Sequence, residues 1–110
     1  MTRYSILMLT LAAFSATAGQ LLFKLGAQGR VGLFEFFNVP VFSGLLFYAI
    51  GTVIWIYTLS YENLINVYSF TALTFVLVYL SGVFVLGERI TMFNFGGIVL
   101  ILAGLYMVTR

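Results

Sequence analysis

The chain has 110 residues, of which 63% are hydrophobic and only 7% charged, against roughly 25% charged residues in an average soluble domain, and this excludes a water-soluble globular fold. Its formal charge is +2, from five Lys and Arg against three Asp and Glu, and it contains no cysteine and no histidine. Disulfides, thiolate or imidazole metal sites and Cys/His nucleophiles are therefore excluded, and the three carboxylates fall in separate segments, too scattered for a metal cluster or an acid/base pair. No catalytic residue, metal or cofactor is expected, and the chain is not read as an enzyme.

The first apolar stretch, Tyr4–Phe23, is close to the roughly 20 residues that cross a bilayer as a helix. It has no basic leader beyond Arg3, it exceeds the apolar core of about 7–15 residues found in signal peptides, and three more spans follow, so it is expected to be a retained helix. Within it Thr10, Ala13, Thr17, Gln20 and Lys24 recur at intervals of three and four and share one face. Polar groups in hydrocarbon turn toward protein or a wet cavity. The Thr10 hydroxyl is expected to bond its own helix backbone, as are those of Thr71 and Thr74 further on. Gln20 and Lys24, one turn apart, call for a carboxylate, a lipid phosphate or water, with snorkelling of Lys24 to the interface as the alternative.

The connection Lys24–Pro40 is the only one with room to fold. It passes Gly26, Gln28 and Gly29, then the aromatic run Leu33-Phe34-Glu35-Phe36-Phe37, which suits the headgroup region. An interfacial linker is expected here in preference to a substrate gate, with Asn38 and Pro40 starting the next helix. The second span, Val41–Ser60, contains Trp55, either an interface anchor like Tyr4, Tyr57, Tyr61 and Tyr106 or a packing residue of the bundle.

After the short turn Tyr61–Asn66 the third span, Val67–Leu86, has a polar first half and an almost wholly apolar second half, Phe75–Leu86. Thr17, Asn66, Tyr68 and Thr71 are accordingly the candidate cavity-lining residues. The turn Gly87–Thr91 leads to the fourth span, Met92–Val108, in which Gly97 and Gly104 are seven apart and share a face with room for a close helix approach. That face is expected to serve dimerisation or tight packing with the third span.

The fold expected is all-α, a single four-span integral membrane bundle over residues 1–110 with helices at about 4–23, 41–60, 67–86 and 92–108. Both termini then share a side carrying Arg3, Glu62 and Arg110, while the other carries Lys24, Arg30 and Arg89. This nearly even split leaves orientation open, including insertion both ways. Four spans are also few to enclose a pathway, so pairing in opposite orientations or with a related subunit is expected.

The residues carry a family resemblance. Leu59-Ser60-Tyr61 through Val67-Tyr68-Ser69, then Gly87-Glu88-Arg89-Ile90-Thr91 and Gly96-Gly97-Ile98-Val99-Leu100-Ile101-Leu102-Ala103-Gly104, resemble the second half of a four-helix unit of the drug/metabolite transporter superfamily. The segment Ala18-Gly19-Gln20-Leu21-Leu22-Phe23-Lys24 resembles the end of helix one in small multidrug resistance proteins and in the small subunits of the aminoarabinose-phosphoundecaprenol flippase, and its Gly-Gln-x-x-x-Lys form is closer to the latter. The resemblance implies a small multidrug resistance-like four-helix bundle. It also exposes a departure: those exporters exchange cations for protons at a glutamate in mid-helix one, where desolvation raises its pKa. Alignment on Lys24 puts Ala16 there. The exporters' helix-three tryptophan falls at Thr71, although Tyr68 matches a family tyrosine, so cation–proton exchange through that site is not expected.

Basic groups stand at the helix ends instead, and they suit a lipid phosphate. Gln20, Lys24 and Arg89 are the candidate headgroup ligands, and Glu88 is expected to form a structural ion pair with Arg89 or Lys24. The function expected is a transport subunit that moves a polyprenyl-phosphate-linked sugar, of the undecaprenyl phosphate kind, or a related anionic lipid across a bacterial inner membrane. It would act as a homodimer or a heterodimer with a related small subunit, with the lipid bilayer and the polyprenyl-phosphate lipid as partners and no nucleic acid. Two alternatives remain: a small-molecule or cation exporter of the small multidrug resistance type with altered coupling, and a non-transporting accessory subunit of a membrane glycosyltransferase or transporter.

Overall fold

Thr2 caps the first helix, its hydroxyl accepting the Ser5 N–H at 3.1 Å. In the computed structural model, which describes residues 2–109, helix α1 then runs Arg3–Ala27. It continues a full turn past Phe23, so Lys24 lies in its last turn, where a cation complements the helix dipole. A turn across Gln28 and Gly29 ends it: Arg30 N–H returns to the Ala27 carbonyl at 3.1 Å. Gly29 has φ +75°, the left-handed value that the third position of a type II turn requires.

A single 3-10 turn, Leu33–Phe36, precedes helix α2, Val39–Leu59. As expected, Asn38 and Pro40 begin α2. The Asn38 Oδ1 accepts the Val41 N–H at 3.0 Å, while its Nδ2 donates to the Gly26 and Glu35 carbonyls, each at 2.9 Å. One side chain thus ties the end of α1 to the start of α2.

The third span is interrupted. Helices α3, Leu64–Ser69, and α4, Thr71–Phe84, meet at Phe70, whose ψ of −8° departs from the helical value and whose N–H bonds Val67 three residues back. Ser69 Oγ donates to the Ile65 carbonyl at 2.7 Å beside this break, a side-chain bond of the kind that bends helices. Gly87, at φ +71°, then turns the chain so that Glu88 N–H reaches the Gly82 carbonyl at 3.0 Å. Helix α5, Met92–Thr109, runs back along α4 and α3. The spans Arg3–Ala27, Val39–Leu59 and Leu64–Phe84 are each long and apolar enough to cross a membrane, and Met92–Val108 is a shorter apolar helix. The described residues form an all-helical four-span bundle, and the protein is a multi-pass membrane protein.

Helices α1 and α2 make the principal interface. Ser5, Ala12, Gly19 and Gly26 on α1 and Gly44, Gly51 and Thr58 on α2 are all buried, and in each helix they recur every seven residues. A β-carbon on Gly44 would lie 2.9 Å from the Gly19 carbonyl oxygen, and one on Gly51 would lie 3.0 Å from that of Ala12. Close backbone approach of this kind is how helices associate where lipid removes the hydrophobic drive. The strip at Gly97 and Gly104 does not serve the same purpose within the chain. A β-carbon at either would meet nothing within 4 Å, and α5 turns Ile98 inward instead, 6% exposed. Tight packing of that face on the third span is therefore corrected, while Phe93, 90% exposed, shows how much of α5 is turned outward.

Candidate functional site

Ala12 of the seam, with Leu9, Ala13, Ala16 and Gln20 beside it on α1, forms one wall of a cavity. Tyr48, Gly51, Thr52 and Trp55 of α2 form the second wall, and Tyr68, Phe70, Thr71, Thr74, Phe75 and Val78 from both sides of the α3–α4 break form the third. The space is about 550 Å³, within the range of small-molecule sites. Alanines on α1 leave the room. Aromatic rings furnish much of the rest, with Trp55 and Tyr68 at a centroid separation of 6.5 Å and an angle of 56°.

Hydrogen bonding separates the hydroxyls. Thr10, Thr17, Thr52 and Thr74 donate to the carbonyls of Ile6, Ala13, Tyr48 and Phe70 in their own helices. Among the described residues, Gln20, the Tyr48 and Tyr68 hydroxyls, Trp55 Nε1 and Thr71 have no hydrogen-bond partner. Each belongs to a cavity-lining residue, so the site offers donors and acceptors that the protein itself does not use.

Among the described residues, no carboxylate or ammonium lines this space. Glu62 lies at the far end, accepting from Ser5 Oγ at 2.6 Å, where the Tyr4 and Tyr61 rings also meet at 6.4 Å. Glu88 folds back so that its Oε1 lies against Gly82. Among the described residues it forms no ion pair, so the expected pairing with Arg89 or Lys24 is absent, because the turn at Gly87 directs the carboxylate along α4. Lys24 is exposed one turn beyond Gln20. Because α1 and the third span descend together, the exposed Arg30 and Arg89 lie at that same end of the bundle. Arg3 is at the other end, and Arg110 lies outside the described residues.

Of the expected site residues, Gln20, Tyr68 and Thr71 come together in the cavity wall. Lys24 and Arg89 lie beyond it at the basic end. Thr17, buried and bonded to Ala13, and Asn66 are not part of the lining. The α2 wall went unread in the sequence, although Tyr48, Thr52 and Trp55 stand at positions i, i+4 and i+7 of one helix face. Trp55, half-buried, lines the cavity and meets the Tyr68 ring across it.

The loop beside the basic end is internally organised. Glu35 Oε2 accepts the Gly32 N–H at 2.7 Å and the Val31 N–H at 3.0 Å. The Gly32 bond first and the Val31 bond second hold its carboxyl below the usual range, with the Arg30 charge adding to them against a small desolvation effect. A depressed folded-state pKa means that the stabilisation is complete above the ordinary carboxylate pKa and disappears as pH falls through the lowered value. Amide exchange of Val31 and Gly32 is accordingly expected to be protected at neutral pH and to lose that protection in acid, and Glu35→Gln is expected to lose much of it at neutral pH. Equal protection in the variant would show that the carboxylate does not hold the loop.

The class that these features define is a small helical membrane protein with an uncharged, aromatic-lined cavity between its helices and cations at one end of the bundle. Over 74 residues the chain is 32% identical to a probable 4-amino-4-deoxy-L-arabinose-phosphoundecaprenol flippase subunit, ArnF, of Photorhabdus laumondii, a match covering 66% of this chain and 59% of that relative. The resemblance to the small flippase subunits is thereby supported by an independent comparison. No protein-family model and no solved structure matches the chain.

Proposed function

We propose that the protein is a non-enzymatic subunit of a flippase that moves a polyprenyl-phosphate-linked sugar across a bacterial inner membrane, together with a second copy or a related small subunit. The observation that carries this reading is the cavity at Gln20, Trp55, Tyr68 and Thr71, followed one helical turn later by Lys24. A polar sugar fits the space, an anionic phosphate fits the cations, and the outward apolar side chains accommodate the polyprenyl tail. The similarity to a flippase subunit supports the same cargo class. Ala16 in the cavity wall, where small multidrug resistance exporters have their glutamate, argues against proton-coupled cation exchange.

Proteoliposomes containing the chain, alone and with a related four-span partner, test this directly. A fluorescent polyprenyl-phosphate sugar is expected to cross the bilayer faster than in protein-free vesicles, and a quaternary ammonium dye is not expected to accumulate under a pH gradient. Proton-driven dye uptake without movement of the lipid would overturn the proposal in favour of an exporter.

A further inference from the structure

The connection between α1 and α2 has an outer surface unlike that of a loop built for water. Val31, Leu33, Phe34, Phe37 and Val39 are 65–91% exposed, and the rings of Phe34, Phe37 and Phe42 follow one another at centroid separations of 6.3 and 6.1 Å. Its backbone is meanwhile largely self-sufficient. The N–H groups of Arg30, Glu35 and Phe37 bond the Ala27, Gly32 and Phe34 carbonyls, those of Val31 and Gly32 bond the Glu35 carboxylate, and Asn38 donates to the Gly26 and Glu35 carbonyls. Apolar side chains over a backbone with few groups left for water is the combination that entry into the edge of a bilayer demands. A loop surrounded by water can leave such groups to the solvent.

The loop also stands at the right depth. Helix α1 has 25 residues, about 37 Å at 1.5 Å per residue, and so outruns a hydrocarbon core of roughly 30 Å. Its last turn and the loop behind it fall at the headgroups. Charge is sorted there. Glu35 is turned onto the loop amides and Glu88 lies against Gly82, while Lys24, Arg30 and Arg89 are exposed and, among the described residues, form no ion pair. Three cations against two carboxylates leave one net positive charge at this end, with the carboxylates drawn to the backbone and the cations available. Lys24 and Arg89 serve the proposed cargo phosphate, whereas Arg30, inside the loop, has no task in that reading. We propose that the α1–α2 loop is an interfacial anchor for the bilayer's own anionic phospholipid. The row of Phe34, Phe37 and Phe42 sits among the upper acyl chains, and Arg30 meets the lipid phosphate. This docking goes beyond the transport reading and does not depend on the cargo.

The chain contains no cysteine, so Val31→Cys and Phe34→Cys can each carry a single nitroxide label. In vesicles of equimolar phosphatidylcholine and phosphatidylglycerol, without polyprenyl phosphate, both labels are expected to be relaxed by dissolved oxygen and shielded from a water-soluble nickel chelate. Val31→Cys leaves the phenylalanine row intact, so its label reports on the loop whatever replacement of Phe34 does. Native mass spectrometry of protein released from these vesicles is expected to show phosphatidylglycerol retained in preference to phosphatidylcholine. Arg30→Ala is expected to lower that preference about fivefold, the ratio given by about 1 kcal/mol for one basic residue at an anionic surface. Arg30→Lys is expected to keep most of it, and neither variant should change the melting temperature, since Arg30 is exposed. A Val31 label open to the chelate overturns the anchor, and a lipid preference indifferent to Arg30→Ala overturns the anionic docking. Neither result bears on movement of a polyprenyl-linked sugar, so failure here is distinct from failure of the flippase reading.

Discussion

Gly44→Leu is expected to be the most destabilising single change in the bundle. A β-carbon there would sit 2.8 Å from Phe23 Cδ1 and 2.9 Å from the Gly19 carbonyl oxygen, and the backbone atom cannot move aside without separating α1 from α2. Overpacking costs about 1–3 kcal/mol where side chains have room to adjust, and here a rigid helix backbone must yield, so the upper end applies. The loss is not offset elsewhere, because lipid solvates separated helices as well as it does packed ones. Gly97→Leu and Gly104→Leu are the matched comparisons, since nothing within 4 Å opposes a β-carbon at either. Thermal unfolding in detergent should show a much lower midpoint for Gly44→Leu and unchanged midpoints for the α5 variants. A lower detergent-resolved mass for the α5 variants would then report lost association between chains. A Gly44→Leu protein that melts like the parent would refute the seam as the organising contact.

Lys24→Ala is expected to weaken binding of polyprenyl phosphate about ten- to a hundredfold, the equivalent of one charge-assisted hydrogen bond worth roughly 1.5–3 kcal/mol. Lys24 is exposed, so expression and melting should change little. Lys24→Arg should keep part of the affinity, with the charge retained and the geometry altered, and Arg89→Ala should act in the same direction as Lys24→Ala. Native mass spectrometry with polyprenyl phosphate reads all three. Affinity indifferent to both Lys24 and Arg89 would remove the phosphate assignment and leave snorkelling as the account of Lys24.

The spans were legible because hydropathy over about 20 residues is a strong signal, and the start of α2 because Asn38 and Pro40 are both characteristic helix starters. The break at Phe70 was not legible. Neither glycine nor proline marks it, and the tightened turn there depends on Ser69 and on packing that a linear pattern does not show. Small residues seven apart mark both Gly97/Gly104 and the α1–α2 seam, yet spacing does not say whether such a strip meets its own chain or another. Part of the cavity was readable through Gln20, Tyr68 and Thr71, whose polarity is costly in hydrocarbon. Thr17 misled because a threonine in a helix satisfies itself on the preceding turn, as its bond to Ala13 shows. Tyr48 and Trp55 escaped because aromatic residues in a span are equally at home at the interface.

The seam between α1 and α2 also sets an order of assembly. It joins neighbouring segments of the chain across one connection, so it is complete once residue 59 has entered the membrane, before the third wall of the cavity has followed it there. The hairpin is the template and the site is a late addition to it. Damage in α3 or α4 therefore leaves an inserted hairpin without a site, a species that still occupies membrane and still offers a surface to a partner, whereas damage in the seam removes the template on which every later segment is laid.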